Sequence, residues 1–342
     1  MKSIYGLTYK ELEEFLIYNN EKKYRAKQIF EWLYKKKATS FLEMTNLSNE
    51  LINFLSGSFC VSNINVVKEV SGKDVTKFLF KLSDGELVEG VLMKHDYGNS
   101  LCVSSQVGCN MGCTFCESGR LKKVRNLSSE EMVEQILLVE KTLNIRVSHV
   151  VIMGIGEPFD NYDNVLKFIR IISDSNGIDI GIRHITVSTC GIIPKIKEFA
   201  LENLQANLAI SLHAPTDKIR NSIMKINKTY KINALIEEVK NYISKTNRRV
   251  TFEYVMLKDI NDSEECAQLL SKLLKGINAY VNLIPYNETS NLDFFASKNA
   301  DILKFYDILK KNNINVTIRR EMGSNIEAAC GQLRSNHKEE IL

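Results

Sequence analysis

No apolar run in the 342 residues approaches the length of a membrane span, so no spanning helix is expected. The N-terminus, MKSIYGLTYKELEEF, lacks the basic-then-apolar layout of a signal peptide. Charge of one sign is missing too: 45 Lys and Arg face 41 Asp and Glu, a formal net charge of +4. That balance is too mild to establish a nucleic-acid partner, although basic runs at Lys35 to Lys37, Lys122-Lys123 with Arg125, Arg248-Arg249 and Arg319-Arg320 permit one. Eight cysteines in so long a chain do not make a disulfide framework, and a cytosolic, reducing setting fits better. The single tryptophan, Trp32, lies in a helical pattern that makes it core rather than an RNA platform. With 44% hydrophobic residues, the chain can bury a sizeable core in one large domain or two ordinary ones.

Residues 8 to 56 read as helical, with Thr8 three before Glu11 as a capping box. Residues 62 to 95 alternate around a Ser-Asp-Gly turn at 83 to 85, which predicts a small antiparallel ribbon. From about residue 99, β-branched apolar runs (LCVSSQV, 147–153, 184–189, 206–213, 250–257, 280–286 and 314–319) alternate with amphipathic stretches. One of these, SSEEMVEQILLVEKTL, opens with Ser128 three before Glu131. That rhythm predicts an α/β fold, a partial (β/α)6-type barrel, because six or seven units in about 230 residues fall short of eight. We divide the chain into a helical accessory domain (1–60), a β-ribbon linker (61–98), the barrel core (99–334) and a tail (335–342).

Proline occurs only four times, and Pro158, Pro194, Pro215 and Pro285 all fall at or just after the end of a predicted strand. In α/β barrels ligand-contacting residues gather in the loops that follow the strands. The same loops carry Gly154, Gly156, Glu157, Ser188, Thr189, Ser211, His213 and Asn287, a density of small and hydrogen-bonding residues that packing alone does not account for. Taken singly these residues stay ambiguous. Glu157 fits a ribose or amino ligand or a solvated loop; His213 fits a ligand, a base or a satisfied polar group at a strand end.

The sharpest feature is VGCNMGCTFCESG, where Cys109, Cys113 and Cys116 have the spacing C-x3-C-x2-C. Three thiolates are one short of a closed zinc site or a fully ligated four-iron cluster. A three-cysteine cluster leaves one iron open to bind and reduce a small molecule, with Phe115 as a shielding wall. A zinc knuckle with a distant fourth ligand is the alternative. Cys102, seven residues earlier, and Cys330 in EAACGQL could both reach the same rim, and two such thiols suggest a redox or covalent step. Cys60, Cys190 and Cys266 are read as structural.

On these motifs the chain resembles the radical S-adenosylmethionine enzymes. More narrowly, it resembles the adenosine-C2 RNA methyltransferases that act on 23S ribosomal RNA and some tRNAs. The matching stretches run in order from YRAKQIFEWLY through CVSSQVGCNMGCTFC, VRNLSSEE, MGIGEP, ITVSTCGIIP, LAISLHAP, RRVTFEYVML and VNLIPYN to EAACGQL, nearly the whole chain. The resemblance implies a [4Fe-4S] cluster on Cys109, Cys113 and Cys116, whose open iron chelates S-adenosylmethionine. It also implies that Gly156, Glu157, Ser188, Ser211, Leu212, His213 and Asn287 line that ligand. Cys330 corresponds to the cysteine that is S-methylated, Cys102 to the one that forms a transient disulfide with it, and Glu89 to the proton acceptor.

The resemblance further implies two S-adenosylmethionine molecules per turnover, one as methyl donor to Cys330 and one as radical source, since carbon 2 of adenine is too poor a nucleophile for direct methyl transfer. The target implied is adenosine 2503 of the peptidyl-transferase region, with adenosine 37 of tRNA as a second. The adenine must be unstacked, and the helical N-terminal region is a candidate RNA holder. A flavodoxin or ferredoxin electron donor and a monomeric state are further expectations. The sequence departs from the family at Glu117, where relatives carry a small residue, and in the Lys-rich run before Arg125. The competing readings are a C8-methylating relative and, from another class, a zinc-stabilised RNA-binding module without catalysis.

Overall fold

Local signals open the helices as expected. In the computed structural model, which describes residues 1–289, 291–319, 326, 328 and 331–333, both capping boxes form, Thr8 with Glu11 and Ser128 with Glu131. The N-terminal helices are α1 (Tyr9–Tyr18), α2 (Arg25–Phe30) and α3 (Asn49–Ser58). Trp32 follows α2 and packs partly against the core, while the Lys36 ammonium sits 3.6 Å from its ring centroid.

The ribbon comprises β1 (Asn65–Ser71), β2 (Val75–Lys81) and β3 (Leu87–His95), all antiparallel. Gly85 makes the β2–β3 turn at φ +87°, and its N–H donates to the Leu82 carbonyl at 3.0 Å. The ribbon is part of the main sheet, since β3 pairs antiparallel with β4 (Gly98–Cys102). A short pair, β5 (Gln106–Val107) and β6 (Arg125–Asn126), brackets the cysteine loop.

The barrel continues through α4 (Ser129–Leu143), β7 (Val147–Ile152), α5 (Tyr162–Ile172), β8 (Ile185–Thr189), α6 (Ile193–Phe199) and β9 (Asn207–Ser211). Two helices, α7 (Asp217–Ile223) and α8 (Ile232–Thr246), precede β10 (Val250–Met256). The chain then runs through α9 (Glu264–Leu274), β11 (Ala279–Pro285), α10 (Asn299–Lys311) and β12 (Asn315–Ile318). The sheet order is β1-β2-β3-β4-β7-β8-β9-β10-β11-β12, and the last seven strands are mutually parallel. Six strand–helix units and a seventh strand thus form an open α/β barrel, and every strand expected from the apolar runs is present.

One continuous apolar cluster joins Leu12, Phe30 and Leu55 of the N-terminal helices to Met132, Ile169, Phe252 and Val281 of the barrel. Polar contacts pin the junction. Glu134 on α4 accepts from the Ser62 hydroxyl (2.6 Å) and from the Asn63 (2.8 Å) and Ile64 (3.2 Å) N–H groups, and Lys37 pairs with Glu140 at 2.9 Å. Among the described residues no helix is long and apolar enough to cross a membrane.

Candidate active site

Glycine shapes the cysteine loop. Gly108 has φ +73°, and a Cβ there would collide with the Lys122 carbonyl; a Cβ at Gly119 would collide with the Cys113 carbonyl. The loop is fastened by Cys109 N–H to the Leu121 carbonyl (3.2 Å) and Thr114 N–H to the Ile223 carbonyl (3.0 Å). These constraints bring Cys109, Cys113 and Cys116 to one wall of a cavity of about 170 Å³. Burial pushes the Cys109 thiol up to about 12, with the Cys116, Glu157 and Asp160 charges adding to it. Cys113 is raised the same way, first by burial and then by the other two thiols. Three such thiolates need a cationic group among them, and a metal centre deprotonates its thiol ligands outright. Among the described residues no three His, Cys, Asp or Glu side chains converge on a single ion. A four-iron cluster requires no such convergence, because each thiolate binds its own iron. The donor set therefore fits a cluster held on three cysteines.

Strand-end loops form the opposite wall. Gly156, at φ +110°, lies so close to Gln106 that a Cβ would stand 2.6 Å from that residue's Cβ. Glu157 is buried, and burial holds its carboxyl above the ordinary range. Its two oxygens accept from the N–H groups of Phe159 (3.0 Å) and Cys190 (2.8 Å), so it braces two loops while lining the cavity. Ser188 and Ser211 line the cavity from the ends of β8 and β9.

His213 adopts φ +57°, and its Nδ1 accepts from the Val255 N–H at 3.0 Å, which leaves the ring proton on Nε2. Burial, then the Arg220 charge, pushes its pKa down to about 3, so the ring is neutral. Its edge packs on Phe115 with centroids 5.0 Å apart. The Asn287 Oδ1 is buried without a partner and belongs to the cavity wall, as an acceptor awaiting a ligand donor would. Leu212 differs from the others, for its side chain lies in the core and only its backbone belongs to the rim.

A second cavity of about 870 Å³ adjoins the first, sharing Cys116, Gly154, Glu253, Asn287 and Gly331 with it. Cys102, at the end of β4, lines this larger space and packs with Val91, Met93, Ala328 and Leu333. Cys330 lies outside the described residues; Ala328 and Gly331, on either side of it in sequence, also line the larger cavity. Glu89 is on the face of β3 that presents Val91 and Met93, two and four residues on, to that cavity. It is buried and paired with Lys77 at 3.1 Å. Glu117 is buried beside the loop, its N–H donating to the Gly331 carbonyl at 2.9 Å and its carboxylate 3.7 Å from Arg120.

Three residues near the site escaped the sequence reading. Arg220 on α7 is fully buried, and its guanidinium donates to the carbonyls of Cys190 (2.6 Å), Ser211 (3.1 Å) and Leu212 (3.1 Å) and to Asn227 Oδ1 (3.1 Å). Cys190, read as merely structural, lines the small cavity and packs beside Phe115. Glu253 on β10 borders both cavities and accepts from Asn282 at 3.0 Å. An acid inside the apolar run VTFEYVML was the available signal for Glu253; Arg220 had none.

Comparisons with known proteins agree with this geometry. The Radical SAM superfamily model matches residues 103–270, and the Ribosomal RNA large subunit methyltransferase N-terminal domain model matches residues 2–61. A protein of Streptococcus thermophilus (strain CNRZ 1066) is 54% identical over 98% of this chain and 88% of its own length. One of Listeria welshimeri is 55% identical over 97% and 93%. Both carry the name "Probable dual-specificity RNA methyltransferase RlmN". The crystal structure of a radical SAM methyltransferase from Sphaerobacter thermophilus, 40% identical, superposes with a TM-score of 0.94 over 98% of this chain and 100% of that one. The chain belongs to the RlmN family of dual-specificity radical S-adenosylmethionine RNA methyltransferases, whose cofactors are a [4Fe-4S] cluster and S-adenosylmethionine.

Proposed function

We propose that the chain methylates carbon 2 of adenosine 2503 in 23S ribosomal RNA and of adenosine 37 in tRNA, through a methylated Cys330. The observation that carries this reading is the placement of Cys102: it lines one cavity with Cys116 and with the residues flanking Cys330. A cluster enzyme that transferred its methyl group directly would have no use for further thiols beside the cluster. When bound, the cluster on Cys109, Cys113 and Cys116 and S-adenosylmethionine supply the methyl group and the one-electron chemistry.

The chain's residues do the rest. Ser188, Ser211 and the backbone around Gly156 and Leu212 orient the ligand, and the open Asn287 Oδ1 accepts from it. Neutral His213 offers Nε2–H as a donor. Phe115 and the buried loop exclude water. Cys330 carries the one-carbon unit to the ring. The Cys102 thiolate then attacks the Cys330 sulfur, the S–S bond forming as the bond from that sulfur to the one-carbon unit breaks. The departing carbon keeps the electron pair and takes up a proton to become the methyl group, and an external thiol reduces the disulfide before the next turnover. Glu89, held by Lys77, accepts the proton lost from the ring carbon. A flavodoxin or ferredoxin delivers the electron, and the enzyme works as a monomer. Mass spectrometry of adenosine from the RNA of cells lacking and regaining the protein tests this: 2-methyladenosine should return with the gene. Methyl at carbon 8 alone would overturn the reading in favour of the C8-methylating branch.

A further inference from the structure

The larger cavity runs the length of the barrel. One end holds Cys102, Cys116 and Asn287, at or beyond the strand ends. The other holds Tyr97, Asn207, Arg248, Arg249 and Asn278, which lie where β4, β9, β10 and β11 begin. Complete barrels fill this space with layers of side chains; here polar Thr251, Glu253 and Asn282 border open volume. The cysteine end is crossed by the loop after β5, which is bonded to the C-terminal segment through Glu117 N–H to the Gly331 carbonyl (2.9 Å) and the Ser118 hydroxyl to the Leu333 carbonyl (2.8 Å). The strand-start mouth lies at the opposite end of the cavity from that loop.

That mouth carries a run of four rings, three of them histidines. His95 stacks on Tyr97 (centroids 4.6 Å, planes 11° apart), Tyr97 meets His149 edge-on (5.0 Å), and His149 stacks on His184 (4.2 Å, 19°). Tyr97 is 66% exposed although it borders the cavity. On the lining of the same cavity the Arg249 guanidinium covers the Tyr280 ring at 4.8 Å, and Arg248 donates to Asn207 at 2.7 Å while its Nε stays unbonded. Exposed planes next to cations are what a single RNA strand with splayed bases requires.

We propose that the strand-start mouth is the RNA docking platform: a base next to the target adenosine stacks on Tyr97, and the Arg248–Arg249 pair takes the adjoining phosphates. The target adenine then extends into the lumen toward Cys102. This inference rests on the RNA-methyltransferase reading and adds the route and the contacts.

The test is steady-state methylation of an RNA hairpin by the reconstituted holoenzyme, with iron content and S-adenosylmethionine affinity measured to show an intact fold. Tyr97→Ala should raise the RNA KM about tenfold, the scale of one lost base–aromatic stack, with kcat little changed. Tyr97→Trp should restore the KM, since the plane matters and the hydroxyl does not. Arg249→Gln should reduce the slope of log KM against log salt by about one phosphate contact. An unchanged KM in Tyr97→Ala, or a fall in kcat alone, overturns the platform while leaving the activity reading intact. A wild-type enzyme that methylates no RNA overturns both.

Discussion

Arg220 gives the most demanding test of how the site is built. Its guanidinium is fully buried, and among the described residues no carboxylate bonds to it; nearby Asp217 spends one oxygen on Asn227 (2.8 Å) and the Ile232 N–H (3.0 Å). The cation instead holds three backbone carbonyls at the ends of β8 and β9, those of Cys190, Ser211 and Leu212. Arg220→Met keeps much of the volume and strips all three, together with the bond to Asn227 Oδ1. Each buried acceptor left without its partner costs about 1–2 kcal/mol, roughly 4 kcal/mol together. Removing a desolvated charge gives back part of that, so the net loss should be about 2–3 kcal/mol. Arg220→Lys keeps the charge but lacks the planar fork, and should fall between wild type and Met. Urea unfolding of the anaerobic protein at constant m reads the difference. Affinity for S-adenosylmethionine should fall in the same order, because Ser188, Ser211 and His213 sit at the strand ends that Arg220 ties. A stability loss under about 0.5 kcal/mol in Arg220→Met would show that the carbonyls find other donors, and the argument would fail.

Three further outcomes are expected. Gly119→Ala drives a methyl group into the Cys113 carbonyl, so reconstituted iron should drop to roughly half or less while far-UV dichroism is retained; full iron content would refute the steric argument. Glu253→Gln tests burial: desolvation raises the Glu253 carboxyl above its ordinary 4.5, so its contribution to stability is full below the unfolded pKa and is lost as pH rises through the folded one. The non-ionising variant should therefore gain on wild type as pH rises above the ordinary carboxylate value, and a pH-independent difference would contradict this. In Cys102→Ala, RNA should accumulate covalently on the protein, visible as a shifted band on a denaturing gel; free methylated RNA at the normal rate would remove Cys102 from the release step.

Much of the site could be read along the chain because its chemistry is local. The C-x3-C-x2-C triplet, the glycines around it and the polar residues after each strand are short-range features, and a parallel barrel delivers every strand end to one rim. Seven apolar runs sufficed to predict the strands, because a strand buried on both faces has a near-continuous apolar signature. The ribbon was also legible, but not its fusion with the sheet, since a β3–β4 hydrogen-bond register leaves no mark in either segment.

What the sequence by itself determined, then, was the residue types and their spacing: three thiols at a cluster spacing, two more that the proposed covalent step would use, and the helix and strand periods that carry them. Only the tertiary structure decided which groups share a space. It placed Leu212 in the core, turned Glu157 into a brace between two loops, set Arg220 behind the ends of β8 and β9 and gathered His95, Tyr97, His149 and His184 at one mouth. The physical reason is that burial and stacking are properties of pairs distant in sequence. A residue's type sets what it can do, and the packing of unrelated segments sets which of those things it does.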